Sequence, residues 1–475
     1  MLRLAAAFSR AGLNRPWPRM NARVLSLGLG AVLLSGLGGL LLAKAWHQPI
    51  ESRRSSTSAP SALVSGNGPC APALVSHQGN DKVDLEIQRL QAAARSAPKR
   101  SDLMTQLGWA FITKARLSCD PGYYKLAQQC ALCVQATNSE NPDALLLQGH
   151  IWQSLHKFKE AEPVARKLIT MRTDAFDYGL LGDVLMEQGR LSEAVVAYQK
   201  MIDLRPNLQS YTRVAHVRWL KGDIEGATEV MRMAITAGTP REPEPTAWAY
   251  THFGIYEFQA GDFVTAARSV ELALQFAQDY AAALLLRGRI LLSQGKPTEA
   301  IQPLQRAATI NPLPEYQWIL ADALQEAGRS EAAAEVENRL MRTGALNDPR
   351  TFALYLATVG QQLQEAVRLA QEELNTRADI FTMDALAWAL KANGRFAEAQ
   401  NYSKKSLGEG TQDARLFYHA GCIAMANGNY AYAQRLFRSA VGIKQMLMPS
   451  EINDLTKQIS ALKGLETPSS SMRSN

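Results

Sequence analysis

The chain has 475 residues and a hydrophobic content of 47%, which is ordinary for a folded protein and excludes neither one long array nor several domains. Its formal net charge of +7 arises at the N-terminus, because residues 1–45 hold six basic and no acidic residues. Beyond residue 45 the chain has 45 of its 51 Lys and Arg against all 44 Asp and Glu. A nearly neutral body releases few counterions from a phosphate backbone, so the charge pattern disfavours nucleic acid as a partner.

The N-terminus has the pattern of a targeting element. A basic segment, residues 1–23, precedes residues 24–43, an uncharged run rich in Leu and Gly. Twenty residues at helical rise span about 30 Å, so this run predicts a transmembrane helix or signal anchor, with the N-terminus in the cytoplasm. Residues 43–45 (Ala-Lys-Ala) also fit a cleavage site, which would give a secreted protein. An Arg-rich, acid-free N-terminus is typical of mitochondrial presequences as well.

The segments that flank the central part of the chain differ in composition. Residues 44–80 are rich in Ser, Pro and Gly and predict a flexible linker, because they offer little apolar surface to offset chain entropy. The same reasoning predicts a disordered tail at 464–475. Amphipathic patterns predict capping helices at 81–97 and 450–463, which would cover the ends of the central array.

The central part repeats itself about every 33–34 residues. Seven of the nine repeats that share this spacing carry a glycine near the middle, and His156 and Gln361 stand at that place in the other two. A small residue begins most repeats, and an alanine follows twelve residues later in all nine. The alanines are Ala161, Ala194, Ala227, Ala266, Ala300, Ala333, Ala366, Ala399 and Ala433. The glycines are Gly189, Gly222, Gly261, Gly295, Gly328, Gly394 and Gly428.

Each repeated residue has a structural reason. A central glycine ends the first helix of a hairpin in the left-handed conformation, which other residues adopt only at a cost. The alanine lies where the second helix crosses the first, so a larger side chain would force the two apart. Because one hairpin cannot bury its apolar face alone, the repeats must stack.

Residues 178–206, YGLLGDVLMEQGRLSEAVVAYQKMIDLRP, closely resemble the tetratricopeptide repeat (TPR) pattern. The resemblance covers residues 101–447 and implies an all-α, right-handed superhelical solenoid of about ten helix-turn-helix units. The chain is also similar to bacterial membrane-anchored extracytoplasmic TPR proteins of undefined role, which implies a bacterial inner-membrane protein with its array in the periplasm. The predicted units lie near 101–141, 142–174, 175–207, 208–241, 247–280, 281–313, 314–346, 347–379, 380–413 and 414–447.

Two irregularities interrupt the repeat. The first unit contains about seven extra residues around 116–124 (RLSCDPGYY), and residues 239–246 (TPREPEPT) lengthen the spacing between two later units. The second insertion predicts a loop, which would be either a tolerated surface insertion or a joint between two stacks.

The resemblance further implies that the first helix of each unit lines a concave surface for a protein partner. Large aromatic and polar side chains occupy the family's ligand-contact positions, which predicts a groove for an extended or helical peptide. The alternative is that these rings pack against adjacent helices inside the array. The predicted groove residues are Trp109, His150, His216, Trp219, Trp248, Phe258, Arg289, Trp318, Tyr355, Phe381, Trp388 and Tyr418.

The cysteines leave several possibilities open. Cys130 and Cys133 form a CxxC within a predicted second helix, and Cys119 lies eleven residues before it. In an oxidising compartment a bridge from Cys119 to Cys130 or Cys133 would staple the inserted residues. Buried free thiols are the plain alternative, and thiol- or metal-dependent chemistry at these three residues is a further one.

The sequence contains no phosphate-binding loop, metalloprotease, nucleophile-elbow or dinucleotide-binding motif. It therefore predicts no catalytic residue, no metal or other cofactor and no small-molecule substrate. The predicted function is a membrane-tethered scaffold that binds protein segments and assembles or organises a cell-envelope complex. A thiol- or metal-dependent envelope protein and a mitochondrial inner-membrane assembly factor are the alternatives.

Overall fold

The computed structural model describes residues 68–466, and within them every regular element is helical, with 23 α-helices and no strand. The predicted basic segment 1–23 and the predicted transmembrane run 24–43 lie outside the described residues. None of the helices within 68–466 is both long and apolar enough to cross a membrane.

Helices α3 to α22 form ten hairpins, in which the first helix packs against the second. The first helices are α3 (Ser101–Ser118), α5 (Pro142–Ser154), α7 (Ala175–Glu187), α9 (Leu208–Leu220), α11 (Pro243–Ala260), α13 (Ala281–Ser293), α15 (Pro314–Glu326), α17 (Pro349–Val359), α19 (Ile380–Ala392) and α21 (Ala414–Ala426). The second helices are α4 (Gly122–Gln135), α6 (Phe158–Met171), α8 (Leu191–Leu204), α10 (Ile224–Ala237), α12 (Phe263–Phe276), α14 (Pro297–Ile310), α16 (Ser330–Asn347), α18 (Leu363–Thr376), α20 (Phe396–Ser406) and α22 (Tyr430–Gly442).

Further helices precede and follow the hairpins. Helices α1 (Cys70–Ala73) and α2 (Lys82–Ser96) come before them, and a 3-10 turn (Lys444–Met446) and α23 (Pro449–Glu466) come after. Because α23 runs to residue 466, the predicted disordered tail is wrong for 464–466. One cluster of buried side chains extends from Ala281 to Leu462, so the last five hairpins and α23 share a single core.

The repeated residues play the roles that the sequence predicted. All nine alanines are at most 2% exposed, and the seven central glycines have φ between 71° and 87°. His156 takes the same left-handed conformation, with φ 57°, although it carries a side chain. A Cβ atom on Gly182 would lie 2.4 Å from the ring of Tyr198, so this small residue makes room for a side chain of the second helix.

The predicted flexible linker is wrong for residues 68–80, which pack against the array. Cys70 forms a disulfide with Cys133 of α4. The side-chain amide of Gln91 in α2 donates to the carbonyls of Ala73 and Val75 at 2.9 and 2.6 Å. Composition underestimated this order, because a covalent bond and one buried amide add to the few apolar contacts that Ala73 and Leu74 make with the first cluster of buried side chains.

The predicted bridge from Cys119 to Cys130 or Cys133 is wrong. The extra residues of the first unit lengthen α3 to 18 residues instead of forming a loop, and Cys119 ends that helix in a left-handed conformation. Cys130 is fully buried beneath Gly108, whereas Cys133 reaches Cys70 of α1. Burial raises the pKa of the Cys119 and Cys130 thiols, so both are poor nucleophiles.

The predicted loop at residues 239–246 is also wrong in part. Residues 243–246 form the first turn of α11, where Pro243 occupies the first helical position and loses no hydrogen bond. The hydroxyl of Thr246 donates to the carbonyls of Thr239 and Glu242, which fixes the remaining short connection. The second insertion therefore lengthens a first helix, as the first insertion does.

Candidate functional site

All twelve predicted groove residues lie on first helices, but they belong to two different environments. Four of them face an open cavity in the N-terminal half of the array: Trp109, His150, His216 and Trp248. The other eight contact side chains of other hairpins or the residues that follow the last hairpin.

The open site, called here the aromatic cavity, has a volume of about 860 Å³. Its walls come from α3, α5, α7, α9 and α11, with the starts of α13 and α15 closing one side. The residues that line it include Trp109, Leu146, His150, Phe176, Met186, Tyr198, Leu208, His216, Trp248, Tyr280 and Tyr316.

Aromatic contacts order the cavity walls. The ring centroids of Trp109 and His150 are 5.1 Å apart in an edge-to-face contact, and Trp248 stacks on His252 at 3.5 Å. Burial lowers the pKa of His150 to about 4 and that of His252 to about 3, so both imidazoles are neutral at physiological pH. The cavity therefore presents aromatic faces that carry no positive charge.

An ion pair that is largely buried forms the polar part of the cavity, called here the cavity floor. The guanidinium of Arg213 donates to the two carboxylate oxygens of Asp183 at 2.7 and 2.6 Å, and the hydroxyl of Tyr198 donates to Asp183 at 2.9 Å. The sequence reasoning missed these residues, because Asp183 and Arg213 are 30 residues apart on different first helices. Since the pair is satisfied internally, it fixes α7 against α9.

The two insertions of the sequence meet at the cavity mouth. Arg116, in the extended end of α3, lies 3.9 Å from Glu244, in the extended start of α11. Glu244 is 7% exposed, and burial raises the pKa of its carboxyl group. Cys119 lines the same cavity, so the free thiol next to the first insertion belongs to this site.

The C-terminal half of the array folds back onto the N-terminal half along what we call the seam. It joins the ends of α7, α9 and α11 to residues 377–378, 409–412 and 445, at sequence separations of 186–191 residues. Ion pairs link Glu187 to Arg377 and Lys221 to Glu409.

Backbone groups complete the seam. The hydroxyl of Thr411 donates to the carbonyl of Leu220 at 2.5 Å, which satisfies an acceptor at the end of α9. A Cβ atom on Gly189 would lie 2.1 Å from the carbonyl oxygen of Ala378, and one on Gly222 would lie 2.4 Å from that of Gly410. These two glycines thus serve both the left-handed turn and the close approach of a distant backbone.

Residues 444–453, called here the C-terminal segment, extend the contact surface beyond the seam and cover parts of α11, α13 and α15. The amide of Gln445 donates to the carbonyls of Phe258 and Gln259 at 3.2 and 2.8 Å. Arg289 donates to the carbonyl of Met446. Ser450 donates its backbone N–H and its hydroxyl to Asp322 at 2.9 and 2.6 Å, and the indole N–H of Trp318 points at the same hydroxyl from 3.4 Å.

The remaining predicted groove residues pack within the array. Trp219 stacks on Phe381 at 5.9 Å, which brings together two rings that are far apart in the sequence. Trp388 is 3% exposed and stacks on His419 at 4.0 Å, and Tyr418 is 1% exposed. Tyr355 is 5% exposed and meets Trp318 edge-on at 5.4 Å. For the seven rings among these eight residues the structure has the packed arrangement that the sequence left open as an alternative, whereas Arg289 binds the C-terminal segment.

The cysteines do not form a common site. Cys133 is bonded to Cys70, and within residues 68–466 no group of three or more His, Cys, Asp or Glu side chains is placed to hold a metal ion.

Family models agree with the repeated hairpin, and several solved structures are similar to the chain. Tetratricopeptide repeat models match residues 253–313 and 178–208. Similar solved structures include a human IFIT1 dimer with PPP-AAAA, at 15% identity and TM-score 0.43 over 68% of this chain and 77% of that one. Yeast Tom70 is similar at 13% identity and TM-score 0.35, over 81% and 92%. Pseudomonas aeruginosa pilF is similar at 16% identity and TM-score 0.37, over 46% and 98%.

Likenesses at these identities and TM-scores say nothing about what this chain binds. No match was found among curated proteins. The matched repeat models show that the chain contains tetratricopeptide repeats, and glycines and alanines occupy the corresponding places in the successive hairpins.

Proposed function

We propose that this chain is a scaffold that binds a segment of a partner protein, and that the aromatic cavity receives that segment. Repeat arrays of this kind are generally interaction scaffolds without catalysis of their own. The single observation that carries the proposal is an open cavity of about 860 Å³ between Trp109, Trp248 and two histidine rings, His150 and His216, whose pKa burial lowers. Cavities of this size with mostly apolar walls and a few fixed polar groups are typical of binding sites.

The chemistry of the walls favours an apolar or aromatic anchor on the partner. Large rings give contact area at low entropic cost, and the neutral imidazoles hydrogen-bond without demanding a counter-charge. Because Asp183 and Arg213 satisfy each other, a partner gains little by offering a charge to the cavity floor. Charged groups of the partner are instead recognised by Arg116 and Glu244 at the mouth of the cavity.

We also propose that residues 24–43 tether the array to a bacterial inner membrane and that the array lies in the periplasm, where it organises an envelope complex. The uncharged run after five arginines supports the tether. The Cys70–Cys133 bond supports the compartment, since disulfides persist where the surroundings are oxidising. Thiol labelling of the denatured native protein should find three reactive cysteines before reduction and five after it. Five before reduction would contradict the periplasmic location.

The scaffold proposal is tested by site-specific photocrosslinking in the native membrane. A photoreactive amino acid replaces Trp109 or Trp248 in the cavity, and Val264, which is 82% exposed, serves as the matched control. We expect both cavity positions to capture the same protein and the control position not to capture it. Equal capture at Val264, or different proteins at the two cavity positions, would contradict a common binding site.

A further inference from the structure

The C-terminal segment contacts first helices in the manner of a bound peptide. Arg289 of α13 holds the backbone carbonyl of Met446, and Asp322 of α15 holds the backbone N–H of Ser450. Between these two anchors, Leu447 is 4% exposed and Met448 is fully buried. Contacts to backbone groups do not depend on side-chain identity, so another segment that adopts the same 3-10 turn followed by a helix start can make them.

Side chains of the segment add a narrower selection. The two buried aliphatic side chains require apolar residues at adjacent positions, and Pro449 follows them directly. The hydroxyl of Ser450 fits between the carboxylate of Asp322 and the indole of Trp318. Gln445 supplies an amide to two carbonyls at the end of α11, of which that of Phe258 also accepts from the backbone N–H of Gly261. These features describe a ligand with an amide, two aliphatic residues, a proline and a hydroxyl in that order.

The same segment also belongs to the last hairpin. Arg415 of α21 donates to the carboxylate of Glu451 at 2.6 and 3.1 Å, and its guanidinium lies 5.5 Å from the ring centre of Trp318. The hydroxyl of Tyr418 donates to Asp454 at 2.5 Å. The segment is thus attached at one end to α21 and placed by it over α13 and α15.

We propose that the face formed by α11, α13 and α15 is a second peptide-binding site, which the C-terminal segment occupies in cis and which a partner segment of the same chemistry enters by displacing it. This inference deepens the scaffold function and rests on it. The cis segment acts as a competitor, because it is held at high local concentration by the chain itself. Partner binding at this face is therefore weaker than the contacts alone would give, and it releases the segment.

The test uses a fluorescent synthetic peptide of residues 443–454 and the full chain. In the variant Gln445→Ala/Ser450→Ala the cis segment loses side-chain contacts while α11, α13 and α15 are unchanged. Fluorescence anisotropy should show the peptide binding this variant about tenfold more tightly than the wild type, which is about 1.4 kcal/mol. Adding Arg289→Ala and Asp322→Ala to the same variant should abolish binding. A peptide with Ser in place of Leu447 and Met448 is the ligand control.

Circular dichroism and sedimentation accompany each variant. Native helix content with equal peptide affinity in the wild type and in Gln445→Ala/Ser450→Ala would overturn the proposal, as would no binding to either. Concentration-dependent dimers of the variant in place of peptide binding would also overturn it, because the site would then serve exchange between two copies. Hydrogen exchange gives a second measurement: added peptide should increase exchange at residues 444–453 without affecting α21. The peptide experiment does not involve the aromatic cavity, so its failure is distinct from failure of the crosslinking test.

Discussion

The two halves of the first-helix surface carry similar aromatic residues in opposite environments. In the N-terminal half, Trp109 and Trp248 line an open cavity. In the C-terminal half, Trp318 and Trp388 are 2% and 3% exposed, under the C-terminal segment and within the last hairpins. An aromatic ring on a first helix therefore does not define a groove by itself, because the course of the distant chain decides whether the ring meets solvent.

The insertions account for part of this difference. Helices α3 and α11 have 18 residues each, whereas most first helices have 13, and their extended ends meet at the mouth of the aromatic cavity. The C-terminal half has no such extension among its first helices, and its hairpins share one core with α23. The comparison predicts that the open half depends on a few buried polar groups and the closed half on close backbone contacts.

The largest effect should come from the cavity floor. Asp183→Ala leaves the largely buried guanidinium of Arg213 and the hydroxyl of Tyr198 without the carboxylate they share, and loss of one member of a buried pair costs at most about 3–5 kcal/mol. Hydrogen exchange in α7 and α9 should report this loss as a lower local opening free energy. Glu193→Ala, which removes the partner of Arg190 on the exposed face of the neighbouring helix, should leave exchange unchanged. Equal effects of the two variants would mean that the floor is not rigid.

Acid should weaken the open half next. The pKa of His150 is about 4 and that of His252 about 3 because both are buried, whereas an unfolded histidine has a pKa near 6.5. The unfolded state therefore binds protons that the folded state does not bind. The free energy of unfolding is thus highest above about pH 6.5 and falls as the pH is lowered. At pH 5 the loss is about 2 kcal/mol for each histidine.

Urea unfolding followed by tryptophan fluorescence at pH 7 and pH 5 measures this effect. His150→Gln/His252→Gln should reduce the difference between the two pH values. If the double variant showed the same difference between pH 7 and pH 5 as the wild type, the two imidazoles would be in contact with water, and burial would not lower their pKa.

The seam can be tested by matched glycine substitutions. Gly189, Gly222, Gly295 and Gly328 all have positive φ, so alanine is strained at each of them. Only at Gly189 and Gly222 would a Cβ atom also strike a distant backbone carbonyl, whereas Gly295 and Gly328 have open space. Gly189→Ala and Gly222→Ala should therefore lose about 1–3 kcal/mol more than the two controls, as expected for overpacking. Equal urea midpoints for all four variants would show that the seam does not form.

Neighbouring contacts were predictable from the sequence and distant ones were not. The repeat fixed the places of the central glycines and of alanines such as Ala194 and Ala227, because each meets a partner within its own hairpin. The meeting of Trp219 with Phe381 depends on how several stacked units wind, and small rotations at each interface accumulate without a mark in the sequence. Stacking rules alone cannot distinguish an open first-helix surface from a covered one.

The candidate site shows the same limit. Trp109, His150, His216 and Trp248 were identified from their repeat positions, but Asp183 and Arg213 were missed because no local pattern links them. The two insertions were visible as breaks in the repeat, yet nothing in the sequence indicated that Arg116 would face Glu244. The pairing of Cys70 with Cys133 was missed because the segment around Cys70 has the composition of a linker.

The smallest effect should come from the charges of the seam. Glu187–Arg377 and Lys221–Glu409 are partly exposed, and pairs of this kind contribute about 0–1 kcal/mol. Glu187→Gln/Lys221→Met should therefore lower the urea midpoint only slightly, and the difference from the wild type should shrink in 1 M salt because exposed charges are screened. The carbonyl of Leu220 and the glycine contacts hold the same interface without charge. If 1 M salt alone raised hydrogen exchange at residues 409–412, charge would be the main force in the seam, and ionic strength would control access to the covered face.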